Sequence, residues 1–439
     1  MDRKKRVAFL TLGCKVNQYE TDAMVELLET AGYEIVPFKG MADFYIINTC
    51  SVTNMAERKS RQMIHRAKKN HPDSIIVAAG CYVQTAAEEL KREYAVDLLV
   101  GNNKKKDIVS ILEEYAKEEK NTETIIDIAH TKEYEALNIQ KTMEHTRVYV
   151  KIQDGCNQFC SYCLIPYTRG RVRSRAKTEI LDEVRKLAKN GYQEIVLTGI
   201  HISSYGQDLE SDTLESLLVD LHKIEGIERI RLGSLEPRII TKKFVKTISS
   251  LHKVCPHFHL SLQSGCDETL KRMNRKYTTA EYEEACNILR KYYDRPALTT
   301  DVIVGFPGET EEEFLKTVQF LERIHLYEMH VFQYSPRRGT RAEKMENQVA
   351  PSVKHERSKI LLDMTARQKR EYEQSFFGKE ETVLVEEKIA QNNEEYFTGH
   401  TKRYLKVYLL SHKNIEKQMI RVKIIGYSNE NRLIAETLD

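Results

Sequence analysis

Short apolar runs at 6–12, 44–48 and 75–79 are rich in Val, Ile, Phe and Ala and each ends in a turn signal, so they read as buried parallel strands. The stretches between them, 20–31 and 55–70, carry apolar positions at helical spacing, which predicts a parallel βαβ sandwich over 1–115. Between about 113 and 144 Glu, Lys, Thr and Asn dominate, and a connecting segment is expected at 116–141. A second alternation starts at Val148 and continues through 194–198, 229–232, 257–262, 298–304 and 328–333, with amphipathic helical stretches between the strands. Such regular βα units predict a closed or partly closed parallel barrel, a partial (β/α)6 unit over 142–372, with chemistry at the strands' C-terminal ends. After Phe376 helical periodicity gives way to alternating segments at 381–385, 404–410 and 418–425, which fit a small antiparallel β-barrel over 375–439. The fold class expected is therefore α/β, followed by an all-β unit.

At 439 residues the chain is longer than one ordinary domain, in keeping with that division. A composition 41% hydrophobic and 30% charged excludes a disordered chain. The formal net charge of +3 neither requires nor excludes a polyanionic partner, so any nucleic-acid surface must come from local clusters. No stretch reaches the roughly 20 apolar residues of a membrane span, and the apolar run after the basic start is too short for a signal core. A cytoplasmic protein without membrane association is expected. In that reducing compartment its nine cysteines are better explained by metal or catalytic chemistry than by disulfides.

Cys156, Cys160 and Cys163 are spaced C-x3-C-x2-C in a glycine-flanked loop just after the first barrel strand. Three thiolates hold three irons of a cubane cluster and leave the fourth open; a structural zinc knuckle, the alternative, lacks a fourth Cys or His nearby at the usual spacing. The motif resembles that of the radical S-adenosylmethionine family, in which the open iron chelates the cofactor and one electron releases a 5′-deoxyadenosyl radical. The resemblance implies that Cys156, Cys160 and Cys163 are catalytic cluster ligands and that Tyr162 contacts the adenine. The run 301–309 resembles the family's G-x-I-x-G cofactor motif with Asp301 in place of its first glycine, implying adenosine-side contacts around Gly305 and Glu309. Cys14, Cys50 and Cys81 each stand just beyond the C-terminal end of an expected parallel strand, and such ends converge on one sheet edge. A second three-thiolate cluster is expected there. Cys255, Cys266 and Cys286 show no ligand spacing and are expected to be structural.

The surroundings of Cys14, Cys50 and Cys81, together with the runs 170–175, 260–265 and 273–277, resemble signatures of the methylthiotransferases along the whole chain. They are closest to the branch that modifies N6-threonylcarbamoyladenosine beside the tRNA anticodon. The resemblance implies methylthio insertion at C2, with two 4Fe-4S clusters and S-adenosylmethionine as cofactors, the N-terminal cluster carrying the sulfur and the tRNA anticodon stem-loop as partner. A reducing electron donor of flavodoxin or ferredoxin type and a monomeric state are further expectations. Alternatives are the same chemistry on isopentenyladenosine tRNA or a protein side chain, and a non-catalytic zinc-binding RNA adaptor.

RNA contacts are sought in three places. Arg169, Arg171, Arg173 and Arg175 recur at every second position, so an extended segment would present them on one side, to bind phosphate or carboxylate or simply to be solvated. Arg58, Lys59, Arg61, Arg66, Lys68 and Lys69 crowd one helical stretch, where a solvated face is the alternative to phosphate binding. At the C-terminus Tyr396, Phe397, Lys402, Arg403, Tyr404, Lys406 and Tyr408 interleave cations with rings that stack on bases or fill a barrel. The run 399–404 resembles the TRAM signature, which implies an RNA-binding barrel with Lys402, Arg403 and Tyr404 as contacts.

Overall fold

The first apolar runs pair into a five-stranded parallel sheet in the computed structural model, which describes residues 3–93, 96–117, 124–142, 146–391, 394–411 and 413–438. The strands β1 (Arg6–Thr11), β2 (Glu34–Val36), β3 (Phe44–Thr49), β4 (Ile75–Gly80) and β5 (Leu98–Val100) lie in the order β2-β1-β3-β4-β5. Helices α1 (Lys15–Thr30), α2 (Asn54–Asn70), α3 (Cys81–Glu93) and α4 (Ile108–Ala116) sandwich them between two apolar cores. β3 is buried throughout, as a central strand covered on both faces requires. α1 begins at Lys15, earlier than its apolar periodicity suggests. Asn17, Glu20, Thr21 and Asp22 are buried on it alongside Tyr19 and Ala23, because the helix packs on a second unit as well as on its own sheet.

That second unit contains β6 (Val148–Asp154), α5 (Ile165–Thr168), β7 (Arg173–Ser174), α6 (Lys177–Lys189), β8 (Glu194–Gly199), α7 (Leu214–His222), β9 (Arg229–Leu232) and α8 (Lys242–Ser249). It continues with β10 (His257–His259), α9 (Asp267–Arg272), α10 (Thr279–Tyr292), β11 (Ala297–Val304), α11 (Glu311–Ile324), β12 (Glu328–Gln333) and α12 (Pro351–Gln374). β6-β8-β9 and β10-β11-β12 are parallel, and the bridges Ile230–Val254 and Leu235–Leu260 join the two sets into one curved wall. Among the described residues no pairing joins β12 back to β6, so the barrel is open along one seam. α1 packs against β6 and β8. The connector is firmly placed where it is described: Leu137 and Ile139 enter the barrel core and the Glu135 carboxylate accepts the Lys105 and Lys106 N–H groups at 2.5 and 3.0 Å. Residues 118–123 of the expected linker lie outside the described residues.

β13 (Glu380–Gln391), β14 (Glu394–Thr401), β15 (Lys406–Leu409), β16 (Met419–Tyr427) and β17 (Leu433–Thr437) close a barrel in the order β13-β14-β15-β17-β16. All pairs are antiparallel except β15 with β17, which corrects the all-antiparallel expectation at that one pair. The expected segments correspond to β13, β15 and β16. β15 starts only at Lys406, because Tyr404 takes φ +67° in the turn before it.

That turn docks the small barrel on the central unit. Arg229 donates to the carbonyls of His400 (2.9 Å) and Thr382 (2.5 Å), and Arg231 to that of Lys402 (2.9 Å). Both arginines also pair with Glu194, which is 1% exposed. Burial alone would raise the Glu194 carboxyl, but Arg231, Arg229 and Arg147 outweigh it and hold it at about 2. A carboxyl depressed in this way stabilises the fold above its ordinary range, and that stabilisation is lost as pH falls from about 4.5 towards about 2. Urea midpoints measured from pH 6 to pH 3 are therefore expected to fall more steeply for the wild type than for Glu194→Gln, which starts lower. Equal slopes would contradict this account.

Candidate functional site

The thiols Cys156, Cys160 and Cys163 sit on the loop that leaves β6, and the chain folds there because Gly155 permits it. Gly155 has φ +70°, and a Cβ on it would lie 1.7 Å from the Arg171 carbonyl oxygen. The loop is then closed by Cys156 N–H donating to Gly170 O (3.0 Å) and Cys163 N–H donating to Cys160 O (3.0 Å). The last residue of α9 and those just after it brace the loop. Ser161 donates to the carbonyls of Met273 and Arg272 (3.0 and 2.9 Å), and Asn274 Nδ2 donates to Phe159 O (2.8 Å). Arg275 Nη1 reaches Cys160 Sγ at 3.2 Å while its Nε donates to Tyr277 (2.9 Å). Burial, reinforced by the neighbouring Cys160, pushes the thiols of Cys156 and Cys163 up to about 11 and about 12, and the nearby Arg275 offsets this only in part. A bound metal reverses that balance.

The second trio is assembled by topology. Cys14 ends the turn after β1, Cys50 follows β3, and Cys81 opens α3 directly after β4. Gly13 has φ +106°, and a Cβ there would lie 2.6 and 2.7 Å from the Cys50 Cβ and Sγ, so only glycine lets the β1 turn approach Cys50. Asn17 Nδ2 donates to Leu12 O (2.8 Å) and Thr49 O (2.9 Å), tying the first two turns together. Cys14 is exposed, whereas Cys50 and Cys81 are buried. Burial, then Cys81, raises the Cys50 thiol to about 12.

Among the described residues no set of three or more Cys, His, Asp or Glu converges as the ligands of one ion do. Three thiols are the donor set a cubane takes, one thiolate to each of three irons, and each trio is backed by a cation or amide suited to an anionic cluster: Arg275 at Cys160, and Arg169 Nε (3.2 Å) and Asn102 Nδ2 (3.7 Å) at Cys81.

Arg169 also links the two units. Its Nη1 donates to Glu20 (2.7 Å) and Asp154 (3.2 Å), and its Nη2 to Asn17 (2.8 Å). Glu20 is also paired with Lys105 (2.9 Å) and Lys151 (2.8 Å), and Lys151 with Asp154 (2.6 Å). Burial would raise the Glu20 carboxyl, yet Arg169, Lys105 and Lys151 hold it well below its ordinary range. Spacing alone grouped Arg169 with the neighbouring arginines and missed this role.

A cavity of about 650 Å³ lies between the units, with Cys163, Tyr162, Gln263, Asp301 and Ile303 from the barrel on one side. Ser51, Thr53, Asn54 and Met55, from the turn after Cys50, form the other. Arg337 and Asn54 bridge its rim: Arg337 donates to Ser51 O and Glu57, and Asn54 Nδ2 to Pro336 O (2.7 Å). Tyr162 stands edge-on against Phe306.

Several sequence expectations are placed elsewhere. Gly305 and Glu309 are not on the cavity wall. A Cβ on Gly305 would lie 2.3 Å from Lys354 Cγ, so packing of α12 accounts for the glycine, and the Glu309 carboxylate is held by Gly305 N–H (3.2 Å) and Arg357 (2.8 Å). Asp301, the departure from the motif, lines the cavity. Arg173 and Arg175 are buried, neither solvated nor presented to RNA. Arg173 donates to the carbonyls of Arg169 and Arg171, and Arg175 pairs with Glu183 and Asn138. Arg171 remains exposed, its guanidinium 4.4 Å from the Phe159 ring. Lys402, Arg403 and Tyr404 turn inward: Lys402 donates to His252 O (3.1 Å), Arg403 to Glu381 (2.8 Å) and Asp294 O (3.0 Å), and Tyr404 stacks between His257 and His400. The positive-φ turn that carries them is a docking element, which spacing could not reveal.

Comparison with known proteins agrees with this geometry. Residues 150–321 match the radical SAM superfamily, and residues 6–101 match an uncharacterized protein family, UPF0004. A threonylcarbamoyladenosine tRNA methylthiotransferase MtaB of Bacillus subtilis (strain 168) is 40% identical over 98% of this chain and 96% of its own length. The protein of the same name from Aquifex aeolicus (strain VF5) is 42% identical over 92% of this chain and 98% of its own length. In fold, the chain is similar to the radical S-adenosylmethionine methyltransferase TsrM of Kitasatospora setae (TM-score 0.58, 14% identity, 78% of this chain and 77% of that one).

Proposed function

This chain belongs to the tRNA methylthiotransferases of the radical S-adenosylmethionine superfamily, and from that premise we propose how its two thiol sites divide the reaction. The protein transfers a methylthio group to N6-threonylcarbamoyladenosine in tRNA, with two 4Fe-4S clusters and S-adenosylmethionine as cofactors. Cys156, Cys160 and Cys163 hold the barrel cluster, and Cys14, Cys50 and Cys81 hold the sulfur-donating one. The observation that carries this reading is the shared cavity: a nucleobase inside it lies between Cys163 and the turn that follows Cys50.

When bound, the barrel cluster and its cofactor supply a carbon-centred radical able to take the C2 hydrogen, which is too weakly acidic for a side-chain base. The residues of the chain do the positioning. Tyr162, fixed against Phe306, presents a flat wall for an adenine ring, and Gln263 and Asp301 offer polar groups at its edge. Arg275 holds the Cys160 sulfur, and Arg169 holds that of Cys81. Arg337 and Asn54 keep the two walls in register and limit the entry of water. The anticodon stem-loop is the part of the tRNA engaged, a flavodoxin- or ferredoxin-type donor supplies the electron, and the chain acts as a monomer.

Nucleoside mass spectrometry of tRNA from a strain lacking the gene tests the substrate. The 2-methylthio form of N6-threonylcarbamoyladenosine is expected to disappear and its parent to accumulate, with methylthiolated isopentenyladenosine unchanged. Loss of the isopentenyl product instead would overturn the assignment.

A further inference from the structure

We propose that the outward face of α2 is the track on which the sugar-phosphate backbone of the RNA lies as it leaves the cavity, an inference that rests on the tRNA reading above. At 100° per residue, Arg58, Lys59, Gln62, His65, Arg66 and Lys69 fall within about a third of the helix circumference. All six are exposed, while Ser60, Ile64 and Ala67 on the opposite side are buried. Four of the six Lys and Arg residues of α2 thus lie on one stripe, Arg61 and Lys68 on its flank, and Arg58, Arg61, Gln62 and His65 line a shallow groove beside it.

The stripe is not neutralised within the protein. Arg58, Lys59, Arg66 and Lys69 make no ion pair among the described residues. The acid of the helix, Glu57, is turned to Arg337, and Asp97 is taken by Lys68 on the flank (3.0 Å). Like charges spaced along one helix face are destabilising unless something compensates them, and a polyanion does so.

The position of the stripe selects its ligand. α2 starts at the cavity mouth, where Asn54 and Met55 form part of the wall, and Met55 is 70% exposed beside the first cation. From Met55 to Lys69 the helix runs about 21 Å, enough to follow several phosphates of a strand whose modified base sits in the cavity. Meanwhile Lys402 and Arg403 each donate to a backbone carbonyl of the central unit, His252 O and Asp294 O.

The test is fluorescence anisotropy of the anaerobically reconstituted full chain with a labelled anticodon stem-loop RNA carrying N6-threonylcarbamoyladenosine, titrated with salt. The variant Arg58→Gln/Lys59→Gln/Arg66→Gln/Lys69→Gln is expected to bind at least about tenfold more weakly at about 100 mM salt, with the slope of log affinity against log salt reduced by about three. Its iron and sulfide content should be unchanged. The pair Lys59→Gln/Arg66→Gln should lose about half that slope, and Arg58→Lys/Arg66→Lys, which keeps the charge, should bind as wild type. A quadruple variant with wild-type affinity and slope would overturn the track alone, whereas failure of the wild type to bind the RNA would overturn the tRNA reading with it.

Discussion

Replacing Cys160 by Ala is expected to abolish reductive cleavage of S-adenosylmethionine, to below about 1% of wild type, while Cys50→Ala keeps cleavage and loses methylthio transfer. The asymmetry follows from where the two residues stand. Cys160 belongs to the loop braced by the residues at the end of α9 and beyond it, and Arg275 is aimed at its sulfur; under the proposed assignment its loss removes one of three anchors from the cluster that docks the cofactor. Cys50 lies across the cavity on the other sheet, next to Gly13, and among the described residues its hydrogen bonds go to Ser60 and Val52 and not to the loop of Cys160. Anaerobic assays that quantify 5′-deoxyadenosine and the methylthiolated nucleoside side by side, with iron counted in each variant, separate the two. Methylthio product from Cys50→Ala at the wild-type level would refute the division of labour.

The second large effect is expected from Glu20→Gln. Glu20 is fully buried and contacts Arg169, Lys105 and Lys151, so neutralising it leaves Arg169 and Lys151 with Asp154 as their carboxylate partner among the described residues and Lys105 with the Asn102 amide oxygen. Removing one member of a buried, hydrogen-bonded charge cluster costs about 3–5 kcal/mol, because the remaining charges stay desolvated. Urea unfolding of the wild type and Glu20→Gln measures the loss directly. A change below about 1 kcal/mol would mean that the cluster relaxes or hydrates when its centre is neutralised.

Strand-sized apolar runs and the helical periodicity between them sufficed for the parallel architecture of the first two units, since a strand buried on both faces has to be apolar throughout, as β3 is. Three cysteines at equivalent strand ends were legible for a similar reason: parallel topology alone places such residues on one edge. Arg173 and Arg175 were not legible, because alternation identifies a shared side of an extended segment but not whether that side meets water or a packed neighbour, and here the neighbours are Asp154 and Glu183. Lys402 to Tyr404 failed differently. Their composition suits RNA, yet the φ of +67° at Tyr404 aims them at carbonyls of another unit, a matter of backbone conformation and long-range docking. α1 hid its own start for want of apolar periodicity, since its buried Glu20 is matched by Lys151 and Arg169, more than a hundred residues away.

α1 begins one residue after Cys14 and, about one and a half turns further on, delivers Glu20 into the charge cluster of the neighbouring unit. The same rigid rod thus carries the Cys14 thiol at one end and anchors a foreign domain along its flank. The N-terminal unit is for that reason not a portable cassette: grafting it onto another radical barrel would demand that Lys151, Asp154 and Arg169 travel with it.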